Sequence, residues 1–319
     1  MSADPNHHET AQNSQQGEGG FTDYHRFVLD SSRDPEGVAR EHLHSLQANI
    51  TAAQTEYPEI RGATVFGSTV KGHATPESDV DGYMFIDVDE ARRHGRALHV
   101  IRHEGQFLLE PADREPYESV LSDAGASTEV NPLEGVFVAP ISTDIISASV
   151  SEAADALKAG DEFRRRLEAL PSAARSLQLE AINLMQHVRM QAFTRTTHHG
   201  KEEISFDEAE YRRLRGIAMQ VLPSGVDLDL LDPPAPRISR NLSGLFHLGV
   251  SNQQLTPYRD QAIRELEALG PLGERVWQRL GQVVVNIEEQ RRHADIYFPQ
   301  TLAEAANQYG GTRSRTQEQ

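Results

Sequence analysis

A glycine–serine pair and two closely spaced aspartates are the residues of this chain whose types and spacing could carry chemistry. Gly67 and Ser68 follow the β-prone run 62–66, and Asp79 and Asp81 come after a spacer of ten residues. A glycine lets a phosphate approach the backbone, and the Ser68 hydroxyl adds one hydrogen-bond donor. Mg²⁺ takes one or two carboxylates and completes its shell with water and phosphate oxygens. The pattern therefore predicts a site for a metal-bound phosphate.

Two short strands are needed to position these residues. Residues 62–66 predict the first strand, and residues 79–86 predict the second. Side chains alternate between the two faces of a strand, so Asp79 and Asp81 are expected to point the same way. A helix is predicted before the first strand from apolar residues at helical spacing, which are Leu43, Leu46, Ile50 and Ala53.

The segment from Ala63 to Asp87 resembles the polymerase beta-like nucleotidyltransferase superfamily. The resemblance is carried by Gly67-Ser68, by Lys71-Gly72, and by Ser78 directly before Asp79-Val80-Asp81. The signature of that superfamily is an apolar strand, Gly-Ser, and an acid–apolar–acid motif on the next strand. The stretch from Gly67 to Asp81 looks like that of the small bacterial members and the antibiotic nucleotidyltransferases. Gly82 departs from the pattern, since an apolar residue more often follows the second acid.

The resemblance also implies a third acid on a neighbouring strand. Asp144 is the first choice, because Thr143-Asp144-Ile145-Ile146 places an acid in a β-prone run. Glu110, which follows Phe107-Leu108-Leu109, is the competitor. A third reading has no such acid, and the site would then bind a nucleotide without turnover.

The activity that the resemblance implies is metal-dependent nucleotidyl transfer. Asp79, Asp81 and Asp144 would hold Mg²⁺ or Mn²⁺, and an acceptor hydroxyl would attack the α-phosphorus of an NTP such as ATP, with release of pyrophosphate. Gly67 and Ser68 would cradle the phosphates. Lys71 would reach the β- or γ-phosphate, although a lysine facing solvent is an equal alternative.

The charge distribution bears on the acceptor. The chain has a net charge of −17, and residues 1–150 hold 25 acidic against 10 basic residues. An acidic half repels the phosphate backbone of DNA, which disfavours extended DNA binding. A small or cationic acceptor is favoured, with tRNA or a protein as the second choice. A solvated acidic surface is the plainer interpretation of the same charge.

The pattern of hydrophobic residues predicts an α/β half followed by a helical half. Together with the resemblance, this implies an α+β fold in which a nucleotidyltransferase domain with a mixed sheet precedes an all-α domain. The predicted boundaries are a disordered tail over 1–20, the catalytic domain over 21–150, a helical accessory domain over 151–309 and a second tail over 310–319. The alternative class is a non-catalytic nucleotide-binding or interaction module with the same fold.

Other features of the sequence exclude or weaken several alternatives. There is no cysteine, no apolar run long enough for a membrane span and no secretory signal, so a cytoplasmic protein is expected. The histidines lack the spacing of a zinc hydrolase. Arg240-Asn241 and His247 resemble the motif of a small helical ribonuclease family, but helix capping or packing is the favoured interpretation. Trp277 is predicted to lie in the core.

Overall fold

The computed structural model describes residues 36–71, 74–122, 133, 135–198, 201–235, 237–250, 252–284 and 298–309. The two predicted tails, 1–20 and 310–319, lie outside these residues. The chain forms two compact units. The first, which we call the sheet unit, combines Met1–Ser151 with Ile238–Gln319, and the second, the helical unit, is Glu152–Arg237. The described residues between Ile238 and Tyr309 therefore belong to the sheet unit, within the range that the sequence had assigned to the helical domain.

The secondary structure follows the predicted order of a sheet region and then a helical region, which confirms the fold class. The strands are β1 (Ile60–Val65), β2 (Gly82–Asp87), β3 (Val100–His103), β4 (Gln106–Leu109), β5 (Val136–Ile141), β6 (Phe193–His198), β7 (Lys201–Phe206) and β8 (Leu248–Val250). The helices are α1 (Val38–Glu56), α2 (Gly67–Lys71), α3 (Val88–Arg93), α4 (Pro111–Ser122), α5 (Thr143–Ala169), α6 (Ser172–Gln191), α7 (Glu208–Val221), α8 (Arg240–Gly244), α9 (Thr256–Ala268), α10 (Pro271–Val284) and α11 (Leu302–Tyr309).

A mixed four-stranded sheet with the order β5-β2-β1-β8 organises the sheet unit. Strand β1 is antiparallel to both β2 and β8, and β2 is parallel to β5. The registers Thr64↔Tyr83 and Tyr83↔Phe137 fix which side chains share a face. The β3–β4 hairpin forms a separate two-stranded sheet.

One face of the four-stranded sheet forms the main hydrophobic core. Helix α1 buries an apolar stripe against it, because its apolar residues recur every three or four positions. The strands contribute alternate residues to this core, and the shared set includes Ala63, Val65, Val80, Met84, Ile86, Val136 and Val138. Burial of each large side chain of this kind stabilises the fold by about 1.5–3 kcal/mol. This core holds β1 and β2 in a fixed register, which is what the candidate site requires.

The opposite face, which we call the carboxylate face, carries Asp81 and Tyr83 of the β2 segment together with Phe137 of β5. Helix α8 packs on part of it. A Cβ added to Gly244 would lie 2.9 Å from Tyr83 Cδ2 and 3.0 Å from Phe85 Cζ, so only glycine allows this approach. The Thr64 hydroxyl donates to the Gly244 carbonyl at 2.7 Å. The segment around α8 is thus an integral layer of the sheet unit.

Asn241 ties α8 to two strands. Its side-chain amide donates to the carbonyls of Phe107 at 3.1 Å and Pro140 at 2.9 Å, and its Oδ1 accepts from the Phe107 backbone N–H at 3.0 Å. Each of these bonds satisfies a buried or half-buried polar group, which is costly to leave unpaired. The packing interpretation of Arg240-Asn241 agrees with this geometry for Asn241.

The helical unit is built around α6 and α7. Ala181 and Met185 of α6 form a small core with Ala218 and Leu231. The Gln178 side chain binds the backbone of the following loop, since it donates to the carbonyls of Asp227 and Leu230 and accepts from the Asp227 N–H. The β6–β7 hairpin lies between the two helices in the chain. The sequence had predicted only helices for this region. Among the helices that the structure describes, none combines the length and the apolar character needed to cross a membrane.

Candidate functional site

The turn from β1 into α2 brings Gly67 against Asp81. The Phe66 N–H donates to the Asp81 carbonyl at 2.8 Å, which extends the pairing of β1 and β2 by one step. Gly67 then turns away with a φ of 72°, a left-handed conformation that favours glycine. A Cβ at this position would lie 1.9 Å from Asp81 Oδ2. The carboxylate of Asp81 therefore rests directly on the Gly67 backbone.

Asp79 and Asp81 stand immediately before β2, which begins at Gly82 and not at Asp79 as the sequence had indicated. Val80 between them is fully buried in the main core, while both aspartates are partly exposed. Asp79 lies beside Gly135, because a Cβ on that glycine would be 3.2 Å from Asp79 Cβ. Val80 is buried in the core, whereas the aspartates on either side of it reach the surface.

Gly82, the departure from the superfamily pattern, has a local packing reason. A Cβ at Gly82 would lie 2.6 Å from the Thr64 carbonyl oxygen and 3.4 Å from Val65 Cγ1. An apolar side chain would force β1 and β2 apart at the point where they carry Gly67 and Asp81. The glycine thus permits close pairing of the two strands.

The structure does not bring Asp144 to the aspartate pair. Residues 143–146 open helix α5 and do not form the predicted strand, because Ser142 Oγ accepts from the Ile145 N–H and caps the helix. Strand β5 pairs with β2 from Gly82↔Val136 to Asp87↔Ile141, and Asp144 follows the far end of this ladder. Six residues of extended chain separate the two ends by about 20 Å. Asp144 is exposed there.

Glu110 does not join the pair either. It is exposed and directly follows β4, and its backbone N–H donates to the His99 carbonyl. Asn241 links Phe107 of β4 to Pro140, which lies in the far half of β5. The competing choice for a third acid therefore lies away from the end of β2 that carries Asp81.

A further carboxylate on the same face, Asp87, has a structural role. It caps α3 by accepting from the N–H groups of Asp89 and Glu90, and it accepts from Arg61 at 2.8 Å and from Tyr258 at 2.5 Å. Burial alone would raise the pKa of Asp87, but the hydrogen bonds from Tyr258, the Glu90 backbone and Arg61 outweigh it and lower the pKa. The carboxylate of Asp87 is thus occupied by hydrogen bonds and an ion pair at the far end of β2.

An aromatic cluster that the sequence analysis missed adjoins the candidate site. The His247 ring lies 4.9 Å from Phe66 and 6.2 Å from Tyr83, measured between ring centroids. Phe66 directly precedes Gly67, and Tyr83 is two residues beyond Asp81. The pairing of β1 with β2 explains why Phe66 and Tyr83 lie close together. No local sequence pattern predicted that His247 would pack against them.

Stability of the sheet unit should depend on the protonation of His247. Burial lowers the pKa of His247 from 6.5 to about 4. As the pH falls, His247 is protonated in the unfolded chain before it is protonated in the folded protein. The stability that the neutral, buried ring contributes is therefore complete above about pH 6.5 and is lost as the pH falls toward 4. The expected loss in free energy of unfolding is roughly 2–3 kcal/mol at pH 4.5, at about 1.4 kcal/mol per pKa unit.

The measurement is urea unfolding at pH 7 and pH 4.5. A His247→Phe variant should lose this part of the acid sensitivity, while His103→Gln, which changes an exposed histidine, should retain it. Equal acid sensitivity in His247→Phe and the unchanged protein would contradict the assignment.

The residues around Gly67 fit a divalent cation in donor type. Asp79 and Asp81 supply two carboxylates, which is the usual protein share for Mg²⁺ when phosphate oxygens and water complete the shell. Nowhere in the described ranges do three or more histidine or acidic side chains form a metal cluster. The Asp81 carboxylate occupies the space that a Cβ at position 67 would need, so this close approach to the backbone requires glycine. The side chain of Lys71, the remaining predicted ligand, lies outside the described part of the chain.

Comparison with known proteins identifies the same segment. Residues 49–122 match a family model described as "Nucleotidyltransferase domain". The matched range contains Gly67, Ser68, Lys71 and the Asp79/Asp81 pair, and it ends before Asp144. No curated protein and no solved structure matches the chain.

Proposed function

Since residues 49–122 are a nucleotidyltransferase domain of the polymerase beta-like superfamily, we propose that this protein transfers a nucleoside monophosphate from an NTP to an acceptor hydroxyl and releases pyrophosphate. The observation that carries the proposal is the contact between Asp81 and Gly67. The contact places a carboxylate that can bind a metal ion against a glycine backbone that a phosphate can approach. The segment also belongs to a family that performs nucleotidyl transfer.

Asp79 and Asp81 would hold Mg²⁺ or Mn²⁺ in this proposal. The bound cation supplies charge stabilisation for the phosphates and orients the reacting oxygens.

Gly67 and Ser68 would bind the triphosphate, with the Gly67 backbone as the point of close approach and the Ser68 hydroxyl as a donor. Lys71, three residues later in the same short helix, would neutralise the β- or γ-phosphate. A donor that binds the leaving pyrophosphate stabilises the negative charge that develops as the bond between the α-phosphorus and the bridging oxygen breaks. These residues act on the NTP, and the proposal assigns none of them to the acceptor.

A small or cationic acceptor is favoured by the acidic balance of residues 1–150. A cation is drawn to such a surface, whereas a long phosphate backbone is repelled. Transfer to tRNA or to a protein is the second choice. Docking of a nucleic acid would require a basic surface that outweighs the charge of −15 carried by 25 acidic and 10 basic residues in this half.

The test is transfer of label from each of the four α-³²P-labelled NTPs to pooled acceptors. The pools would be polyhydroxylated amines, total tRNA and protein, each with Mg²⁺, with Mn²⁺ or with EDTA. The expected result is metal-dependent labelling in one pool, with equimolar pyrophosphate. Metal-dependent NTP binding without transfer to any pool would contradict catalysis, and absence of NTP binding would contradict the whole proposal.

Replacing Asp144 should leave transfer unchanged within about twofold. The structure separates Asp144 from Asp81 by the length of β2, about 20 Å, which is too far for a shared metal ion. An Asp144→Asn variant therefore tests whether the third acid predicted from the sequence is needed. The measurement is the initial rate of transfer at saturating NTP. A loss of more than about tenfold with unchanged thermal stability would restore Asp144 to the site.

A non-catalytic nucleotide-binding module is the second candidate, and one observation favours it. The positions of β5 that face the same way as Asp81 are occupied by Phe137, Ala139 and Ile141, so this strand offers no carboxylate. If turnover requires a third acid from this strand, the site would bind NTP and metal without transfer. The labelling experiment separates the two candidates, because only the enzyme releases pyrophosphate.

A further inference from the structure

Phe137 is exposed on a strand that is otherwise buried. The other five residues of β5 are buried, but 54% of the surface of Phe137 is accessible. Exposed aromatic surface forgoes about 25 cal/mol for each Å² that could be buried. Phe137 contacts Tyr83 at 6.2 Å between centroids and leaves the rest of its ring uncovered. The ring is therefore available to a ligand.

The ring lies close to the aspartate pair. Phe137 is paired with Tyr83, and Tyr83 is two residues beyond Asp81 on the same face. One strand spacing and two residues of extended chain place the backbone positions of Phe137 and Asp81 about 8 Å apart. A nucleotide whose phosphates lie at Asp81 can reach this ring with its base.

Arg240, the first residue of α8, stands over the same ring. Its guanidinium carbon lies 6.0 Å from the centroid of Phe137. Arg240 is exposed and forms no ion pair within the described residues. An exposed cation therefore stands over an exposed aromatic ring.

The distance between the Arg240 guanidinium carbon and the Phe137 ring centroid is that of a loose cation–π contact, wider than a face-to-face stack. Stacked planar groups lie about 3.5–4 Å apart, so a direct stack would be much closer than 6.0 Å. A planar base held between the two groups requires about 7 Å. Arg240 is exposed on a long side chain, so an outward shift of about 1 Å needs no change in the fold. Aromatic rings and guanidinium planes are the two surfaces on which proteins stack bases.

We propose that Phe137 and Arg240 hold the nucleobase of the bound NTP between the phenyl ring and the guanidinium plane. This inference rests on the proposed function, since it assigns the base of the same nucleotide whose phosphates lie at Asp81. Stacking tolerates every base, but its strength grows with ring area. Purine nucleotides should therefore bind more tightly than pyrimidine nucleotides.

The experiment measures the affinity for Mg²⁺ complexes of α,β-methylene analogues of ATP, GTP, CTP and UTP, which cannot be transferred. Phe137→Ala should weaken purine binding by about 5- to 150-fold, the range that loss of one stacked base gives. Phe137→Tyr should retain affinity, and Phe137→Leu should fall between them. Inorganic tripolyphosphate, which has no base, should bind the unchanged protein and Phe137→Ala equally.

Arg240→Gln tests the second wall of the base site. It should weaken nucleotide binding more than tripolyphosphate binding, whereas a phosphate-binding arginine would affect both equally. Arg264→Gln removes the same charge from an exposed position on α9 and serves as the matched control.

The outcomes separate this inference from the proposed function. If nucleotides bind through Asp79 and Asp81 but Phe137→Ala binds as tightly as the unchanged protein, the base site is wrong and the proposed function stands. If Phe137→Ala weakens tripolyphosphate as much as nucleotides, Phe137 acts on the fold and the base site is also wrong. If the unchanged protein binds no nucleotide, both proposals are wrong.

Discussion

Asn in place of Asp79 or Asp81 is expected to lower the rate of nucleotidyl transfer by about a thousandfold or more, with little change in the stability of the fold. Each substitution removes the negative charge of one proposed metal ligand and keeps the size of the side chain. Charge stabilisation by a bound metal is worth several kcal/mol, and about 1.4 kcal/mol corresponds to a tenfold change in rate. The measurement is the initial rate of transfer with [α-³²P]NTP and saturating Mg²⁺.

Asp89→Asn is the matched control for this pair. Asp89 is a surface acid on α3 that pairs with Arg92 at 3.0 Å, and exposed pairs contribute at most about 1 kcal/mol. It should transfer at the rate of the unchanged protein. The binding of Mg²⁺–NTP should weaken in Asp79→Asn and Asp81→Asn but not in the control. Transfer within tenfold of normal in both variants would remove the aspartates from the catalytic site.

Replacing Gly67 by alanine should abolish most of the transfer activity and destabilise the sheet unit. The added Cβ would lie 1.9 Å from Asp81 Oδ2, so the carboxylate must leave its position on the Gly67 backbone. Alanine also disfavours the φ of 72° at this position, at a cost of about 1–2 kcal/mol. We expect a fall in rate of about a hundredfold or more, since displacement of a catalytic group by 1 Å can cost that much.

Gly95→Ala isolates the backbone effect from the contact with Asp81. Gly95 has a φ of 79°, and a Cβ there would have no atom within 4 Å. Both variants should lose similar stability from the strained φ in urea unfolding, with a further loss in Gly67→Ala from the clash. Only Gly67→Ala should lose transfer activity. Equal activity in the two variants would mean that the contact between Gly67 and Asp81 has no role in transfer.

The local elements of the site were predictable from the sequence because short-range patterns determine them. Helix α1 follows its hydrophobic periodicity, and strands β1 and β2 form at the predicted β-prone runs with their ends shifted by one to three residues. The spacing from Gly67 to Asp81 indicated the family of the segment. The exact start of β2 was not predictable. Asp79 and Asp81 precede the strand, which begins at Gly82, so the prediction that both point the same way stays a prediction.

The prediction for Asp144 failed at the level of secondary structure. Thr143, Ile145 and Ile146 are β-branched and read locally as a strand, but the cap from Ser142 starts a helix of 27 residues at Thr143. The apolar face of that helix, which buries Ile146 and Val150, overrides the local propensity. A single β-branched run cannot distinguish these outcomes.

The pairing of β8 with β1 and the packing of α8 on the sheet also could not be predicted from local sequence patterns. Helix α8 and strand β8 lie far from β1 in the chain, and nothing in residues 238–250 marks them as a layer of the sheet. Gly244 shows why the structure was required, since its role depends on Tyr83 and Phe85, which are more than 150 residues away. The exposure of Phe137 on a strand that is otherwise buried likewise emerges only from the structure.

The pairing of β1 with β8 has a consequence for how the protein is made. Ala63 pairs with Val250, so one edge of β1 has no partner until 187 further residues have been synthesised. Translation at about 5–20 residues per second makes this interval roughly 10–40 seconds. During that time the nascent chain presents an open strand edge, a template for pairing with other chains. Yield of the folded protein should therefore depend on holdase chaperones at the ribosome.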